Sequence, residues 1–154
     1  MKKDNIKQGS INYQTIDLTV VFLANLINIL IAFLFLARMS NLTELENTLG
    51  IATIIMGFIL GYIAYLNSKN RRDKWETYLL IPIFLFMIVE LILDYIFVLD
   101  FRSTIIVGPY ILLYYIGAWG LIGYSFRFEK KWGFINLWTY FIMMILSIYP
   151  YVVN

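Results

Sequence analysis

Two carboxylates stand four residues apart inside an apolar run, Ile88-Val-Glu90-Leu-Ile-Leu-Asp94. On a helix of 3.6 residues per turn that spacing puts both on one face, about one turn apart. Such a pair can supply negative charge to a cation, or act as general acid and base on a lipid-like substrate. Tyr110 and Tyr114, also four apart, offer ring faces for cation–π contact and hydroxyls for hydrogen bonding. Asn28 adds an amide in an earlier apolar block, on the face it shares with Asn25 and Asp17; such residues serve more often as interhelical glue than as ligand contacts. Cysteine and histidine are both absent. That excludes disulfides, thiolate nucleophiles, Cys/His zinc sites, bis-histidine haem and Ser-His-Asp catalysis. No independent nucleophile or phosphate-binding loop is visible, and no cofactor or metal is expected.

The element that must position these residues is a membrane-spanning helix. Apolar residues make up 61% of the 154 positions and charged residues 14%. Soluble domains run roughly half apolar and about a quarter charged, so this chain has too little charge to cover a water-facing surface. The apolar residues fall in five blocks, 18–37, 49–66, 77–99, 104–126 and 134–152. Each is near the ~20 residues that cross ~30 Å of hydrocarbon. The pattern predicts an all-α, five-transmembrane-helix bundle in which residues 1–154 form a single transmembrane domain. Pro82 falls about one turn into the third block, where a kink or a helix start is tolerated. The first block is longer than the apolar region of a secretory signal and ends in no A-x-A site, so it reads as a retained span.

Orientation follows from the basic residues. With the N-terminus inside, ten Lys and Arg lie in cytoplasmic segments, against only Arg38 and Arg102 outside. The positive-inside rule then gives N-in/C-out and five spans rather than four. Trp75 and Trp132 at the inner interface, and Tyr149 and Tyr151 at the outer one, fit an aromatic belt. The location expected is a plasma membrane, as a multi-pass protein of a prokaryotic cytoplasmic membrane, with membrane lipids as partners. The net charge of +2 gives no reason to expect nucleic acid. Lys69, Arg71, Arg72 and Lys74 are accounted for by topology or by anionic headgroups. Asp17, Asp73 and Glu76 are expected to be solvated at the inner interface.

Depth then selects neighbours. At ~1.5 Å per residue, Glu90 lies ~20 Å from the inner edge and Asp94 close to the outer surface. Tyr110, Tyr114, Ser147 and Thr53 reach similar depth, and Asn28 lies just below. If their helices are adjacent, they form an acidic, aromatic-walled pocket open to the outside. The competing reading pairs Asp94 with Arg102 at the interface and leaves Glu90 bonded to an Asn or Tyr. Gly57 and Gly61 form a G-x-x-x-G pair, extended by Gly50, Ala64 and Ser68. That stripe suits close packing within the bundle, or a homo-oligomer or membrane partner.

The stretch Gly108-Pro-Tyr-Ile-Leu-Leu-Tyr-Tyr-Ile-Gly117 resembles in part a Gly-Pro-…-Tyr segment of the translocator/tryptophan-rich sensory protein family. It falls in the fourth block, without that family's Trp, Pro and Asn signatures, so no membership follows. The function expected is binding or transport of a small cationic or amphipathic ligand through the outward-facing pocket. The alternatives are an intramembrane enzyme using carboxylate acid/base chemistry, and an accessory or scaffold subunit.

Overall fold

The computed structural model describes residues 12–99 and 104–153, with side chains described to residue 149. It is all-helical among those residues, and five of its helical stretches are long and apolar enough to cross a membrane. Asp100 and Arg102 lie outside the described residues, and so does the ion pair expected of Arg102. The helices are α1 (Tyr13–Met39), α2 (Thr43–Lys69), α3 (Lys74–Tyr78), α4 (Ile81–Glu90), α5 (Val107–Phe128) and α6 (Lys130–Val153). Leu91–Ile96 continues α4 as a π-helix, so α3, α4 and this segment together make the third span, Lys74–Ile96.

Helix ends follow from local chemistry. The Asn12 side chain accepts a hydrogen bond from the Thr15 amide to cap α1, and Asp73 accepts one from the Trp75 amide to cap α3. Both α1 and α2 stop in the same way. Asn41 and Arg71 adopt positive φ (55° and 54°), while the next residues, Leu42 and Arg72, donate back to the carbonyls of Ala37 and Asn67. This is a Schellman closure. Asn tolerates the left-handed conformation; Arg71 takes it at a cost, and in doing so turns Arg72 back toward the bundle. Pro82 lies in the first turn of α4, where its missing N–H would have no partner in any case. The third span therefore breaks at Leu79 and Leu80, and the sequence expectation of a kink or start at Pro82 holds.

Packing closes the helices into a ring. α1 lies against α2 and α6 and also touches α5; α4 lies against α2 and α5; α5 lies against α6. Outward faces are apolar as well: Phe22 is 64% exposed and Trp138 67%. A surface this apolar matches lipid as its solvent. Lipid supplies no hydrophobic force between helices, so close contact and polar bonds must hold them together. Glycine provides the contact. A Cβ at Gly57 would stand 2.2 Å from the Met87 side chain, and one at Gly61 2.3 Å from Phe84. The close approach offered by that stripe is thus taken up by the third span of the same chain. On α5, a Cβ at Gly117 would stand 2.8 Å from the Ile83 Cα, and one at Gly120 2.3 Å from the Leu79 carbonyl oxygen.

A paired substitution tests this contact. Gly120→Ala meets backbone, whereas Gly123→Ala on the same helix meets only the flexible end of Leu79 at 3.5 Å. Gly120→Ala should cost about 1–3 kcal/mol of stability through overpacking. Gly123→Ala should be neutral or slightly stabilising. Thermal denaturation of both variants in one detergent measures the difference.

Candidate functional site

Each span turns one stripe of side chains toward a common space at the end of the bundle farther from Arg72. On α1 the stripe is Ile31, Leu34, Phe35 and Arg38, and on α5 it is Val107, Tyr110, Ile111, Tyr114 and Tyr115. Both follow the i, i+3, i+4, i+7 rhythm of one helix face. Phe86, Met87 and Glu90 come from α4, Gly50, Thr53 and Ile54 from α2, and Met143, Met144, Ser147 and Ile148 from α6. They enclose a cavity of about 380 Å³. A second hollow of about 600 Å³ adjoins it, lined by Glu46, Asn47, Asp94 and Tyr95 among others. Leu34, Arg38 and Glu90 line both, so Glu90 marks the seam between an apolar chamber and a polar vestibule.

The chamber's walls are aromatic. Phe86 packs against Tyr110 and Tyr114, with ring centroids 5.0 and 5.1 Å apart. The directions of the hydroxyl hydrogen bonds matter more. Tyr110 donates to the Glu90 carboxylate, and Tyr114 donates to the Met143 sulfur at 3.3 Å. Thr53 donates to the Leu49 carbonyl and Ser147 to that of Met144, each within its own helix. A hydroxyl has one proton and two lone pairs. With those four protons spent on the protein, the hydroxyls of Thr53, Tyr114 and Ser147 turn acceptor oxygens rather than donors toward the chamber, whose lining also includes Glu90.

Glu90, Tyr110, Tyr114, Thr53 and Ser147 are thus brought together as depth had suggested. Asp94 stands instead in the vestibule. Glu90 lines the vestibule as well, so the two carboxylates do share that hollow; of the pair, Glu90 also lines the chamber, at the point where α4 passes into the π-helical segment. Asn28 lies elsewhere again. It is 4% exposed, and its amide donates to Asn136 Oδ1 (2.8 Å) and Thr139 Oγ1 (3.1 Å). Thr139 donates to Asn25, and Asn136 donates to Ser125 on α5. This ladder joins α1, α5 and α6 in the interior, where an unpaired amide would be costly. Asn25 and Asn28 were legible in the sequence as interhelical glue; their partners Asn136, Thr139 and Ser125 were not.

The opposite end is closed by charge, and here the structure corrects the sequence. Asp17 and Glu76 are not simply solvated. Arg72 makes a two-pronged contact with Asp17, Nη1 to Oδ1 at 2.8 Å and Nη2 to Oδ2 at 2.9 Å. Nη1 also donates to Asn67, and Tyr124 donates to Asp17 at 2.6 Å. Arg72 Nε stands 2.6 Å from Glu76 Oε2, an ion pair whose angle falls outside hydrogen-bond geometry. Partial burial pulls the Arg72 pKa down, but its bond to and charge pairing with Asp17 outweigh this and raise it, so the guanidinium stays charged. Asp73 pairs with Arg127 at 2.5 Å, further out. At the far end Arg38 pairs with Glu46 through Nε and Nη2, a contact the sequence reading also missed.

No family model, curated protein or solved structure matches this chain. What is defined is its class: a membrane-spanning five-helix bundle whose helices enclose a chamber with a carboxylate at its seam.

The Arg72 cluster invites a double-mutant cycle. Asp17→Asn and Arg72→Gln, singly and together, should give a coupling energy of about 1–3 kcal/mol, as expected for groups sharing one network. Denaturant-induced unfolding in mixed micelles measures it. Additive effects would mean the pair holds nothing.

Proposed function

We propose that this protein binds, and carries across its membrane, a small cationic or amphipathic ligand that docks with its positive group against Glu90. The observation that carries this reading is the chamber's polar lining: Glu90 and hydroxyl oxygens line it, and four hydroxyl protons are spent on the protein. The guanidinium that also lines it, Arg38, is paired with Glu46. Such a lining accepts hydrogen bonds and positive charge and offers little to an anion. Phe86, Tyr110, Tyr114 and Tyr115 add ring faces, which favour an alkylated ammonium over a hydrated metal ion. In our reading the chain lies N-in/C-out in the cytoplasmic membrane of a prokaryote. Its ten-to-two division of basic residues supports that orientation, and it turns the vestibule outward.

Two measurements test this. Tetraethylammonium binding to the protein in nanodiscs, followed by calorimetry, should weaken roughly tenfold to a hundredfold in Glu90→Gln, the worth of one charge-assisted contact. Asp17→Asn, at the other end of the bundle, should bind like wild type. Equal affinity of wild type and Glu90→Gln at every pH would end the reading. For orientation, a single cysteine in place of Asn70 should resist impermeant maleimides applied to intact cells. No native thiol competes with it.

A further inference from the structure

The chamber has a wall that faces lipid. α5 and α6 are held together by a series of contacts that climbs from their short connection at Glu129. These are Phe126 against Phe134 (5.2 Å between centroids), Trp119 against Tyr140 (5.8 Å), and Tyr114 donating to Met143 (3.3 Å). Beyond Tyr114 and Met143 the two helices instead flank the chamber. There Ile111 on α5 and Ile148 on α6 both line the cavity, yet they are 43% and 49% exposed. Side chains that meet the cavity and the outer surface at once form its rim. This rim is apolar and lies on the lipid side of the bundle. The vestibule, by contrast, joins the chamber between Leu34, Glu90 and Arg38, whose guanidinium is paired with Glu46. An apolar tail taking that way would have to leave lipid and cross a mouth lined by Glu46, Asn47 and Asp94, losing its apolar contacts there.

We infer that the ligand enters the chamber sideways from the bilayer, between α5 and α6 at Ile111 and Ile148, and is therefore a membrane-partitioning monocation: an ammonium-type head on an apolar tail. The inference rests on the cation reading of the same chamber. The head reaches Glu90 at the seam, and the tail lies along Met143 and Met144, inside the rim, replacing contacts it already had with lipid chains. Because tail contacts exchange one apolar surface for another, discrimination falls to the head. The rim sets the rate of entry rather than the affinity.

Equilibrium binding does not report a route, so the test is kinetic. The probe is a fluorescent styrylpyridinium dye bearing an alkyl chain. Its association with the protein in nanodiscs is followed in a stopped-flow instrument by energy transfer from tryptophan, corrected against empty discs. Narrowing the rim with Ile111→Phe and Ile148→Phe together should slow association and dissociation alike by about tenfold, with affinity held within about twofold. Widening it with Ile111→Ala and Ile148→Ala should speed both. Asn47→Trp, which crowds the vestibule, should leave both rates unchanged. Wild-type rates in both rim variants, or slowing by Asn47→Trp alone, would overturn lateral entry. Full dye affinity in Glu90→Gln would remove the cation reading while leaving the route measured by the rim variants. No saturable dye binding to wild type would remove both.

Discussion

The approach of α5 to the third span at Gly117 and Gly120 is the contact on which the site depends. There a helix without side chains at two positions rests on the backbone of Leu79 and Ile83, close to the break made by Pro82. In lipid such contact is a main source of helix association, since apolar surface gains nothing by leaving one hydrocarbon for another. It also sets register. With Gly117 over Ile83, Tyr114 and Tyr110 arrive one and two turns further along at the levels of Phe86 and Glu90, which is why the tyrosine meets the carboxylate. A bulkier α5 would widen the bundle and separate the two.

Two further interactions divide the remaining work. The amide ladder from Asn25 and Asn28 to Asn136 and Ser125 ties α1 to α5 and α6 in the interior. The Arg72 cluster ties α1, α5 and the α2–α3 turn at one end, where its charges satisfy one another. Together they make that half of the bundle tight. Polar groups at the other end are spread around a cavity. The molecule is consequently asymmetric along its axis, closed by ion pairs at one end and hollow at the other.

The carboxylates themselves are held differently. Glu90 sits where α4 passes into the π-helical segment, and Asp94 lies within it. A π-turn displaces side chains from the positions an α-helix would give them, and it commonly marks a place where geometry serves something other than stability. Here it falls between a carboxylate that lines both the chamber and the vestibule, Glu90, and one that lines the vestibule, Asp94.

Much of this was legible in the residues. Five apolar blocks of span length, an acid within the third, tyrosines at matching depth in the fourth and glycines at helical spacing are all local features, and local periodicity and length are enough to read them. The sequence also places Thr53 and Ser147 at the level of Glu90, because depth along a straight helix is arithmetic. What it does not contain is azimuth, the direction in which each face points once five helices share a ring. Only the tertiary structure decided that Asn28 bonds Asn136 rather than lining the chamber, and that Arg72, in a run of basic residues expected at the headgroups, turns inward to Asp17, 55 positions away. The wide turn between Glu90 and Asp94 belongs to the same class. The sequence alone determined how deep each polar group lies, and packing determined what each one meets, because rotation about a helix axis is set by neighbours that one helix's own residues do not specify.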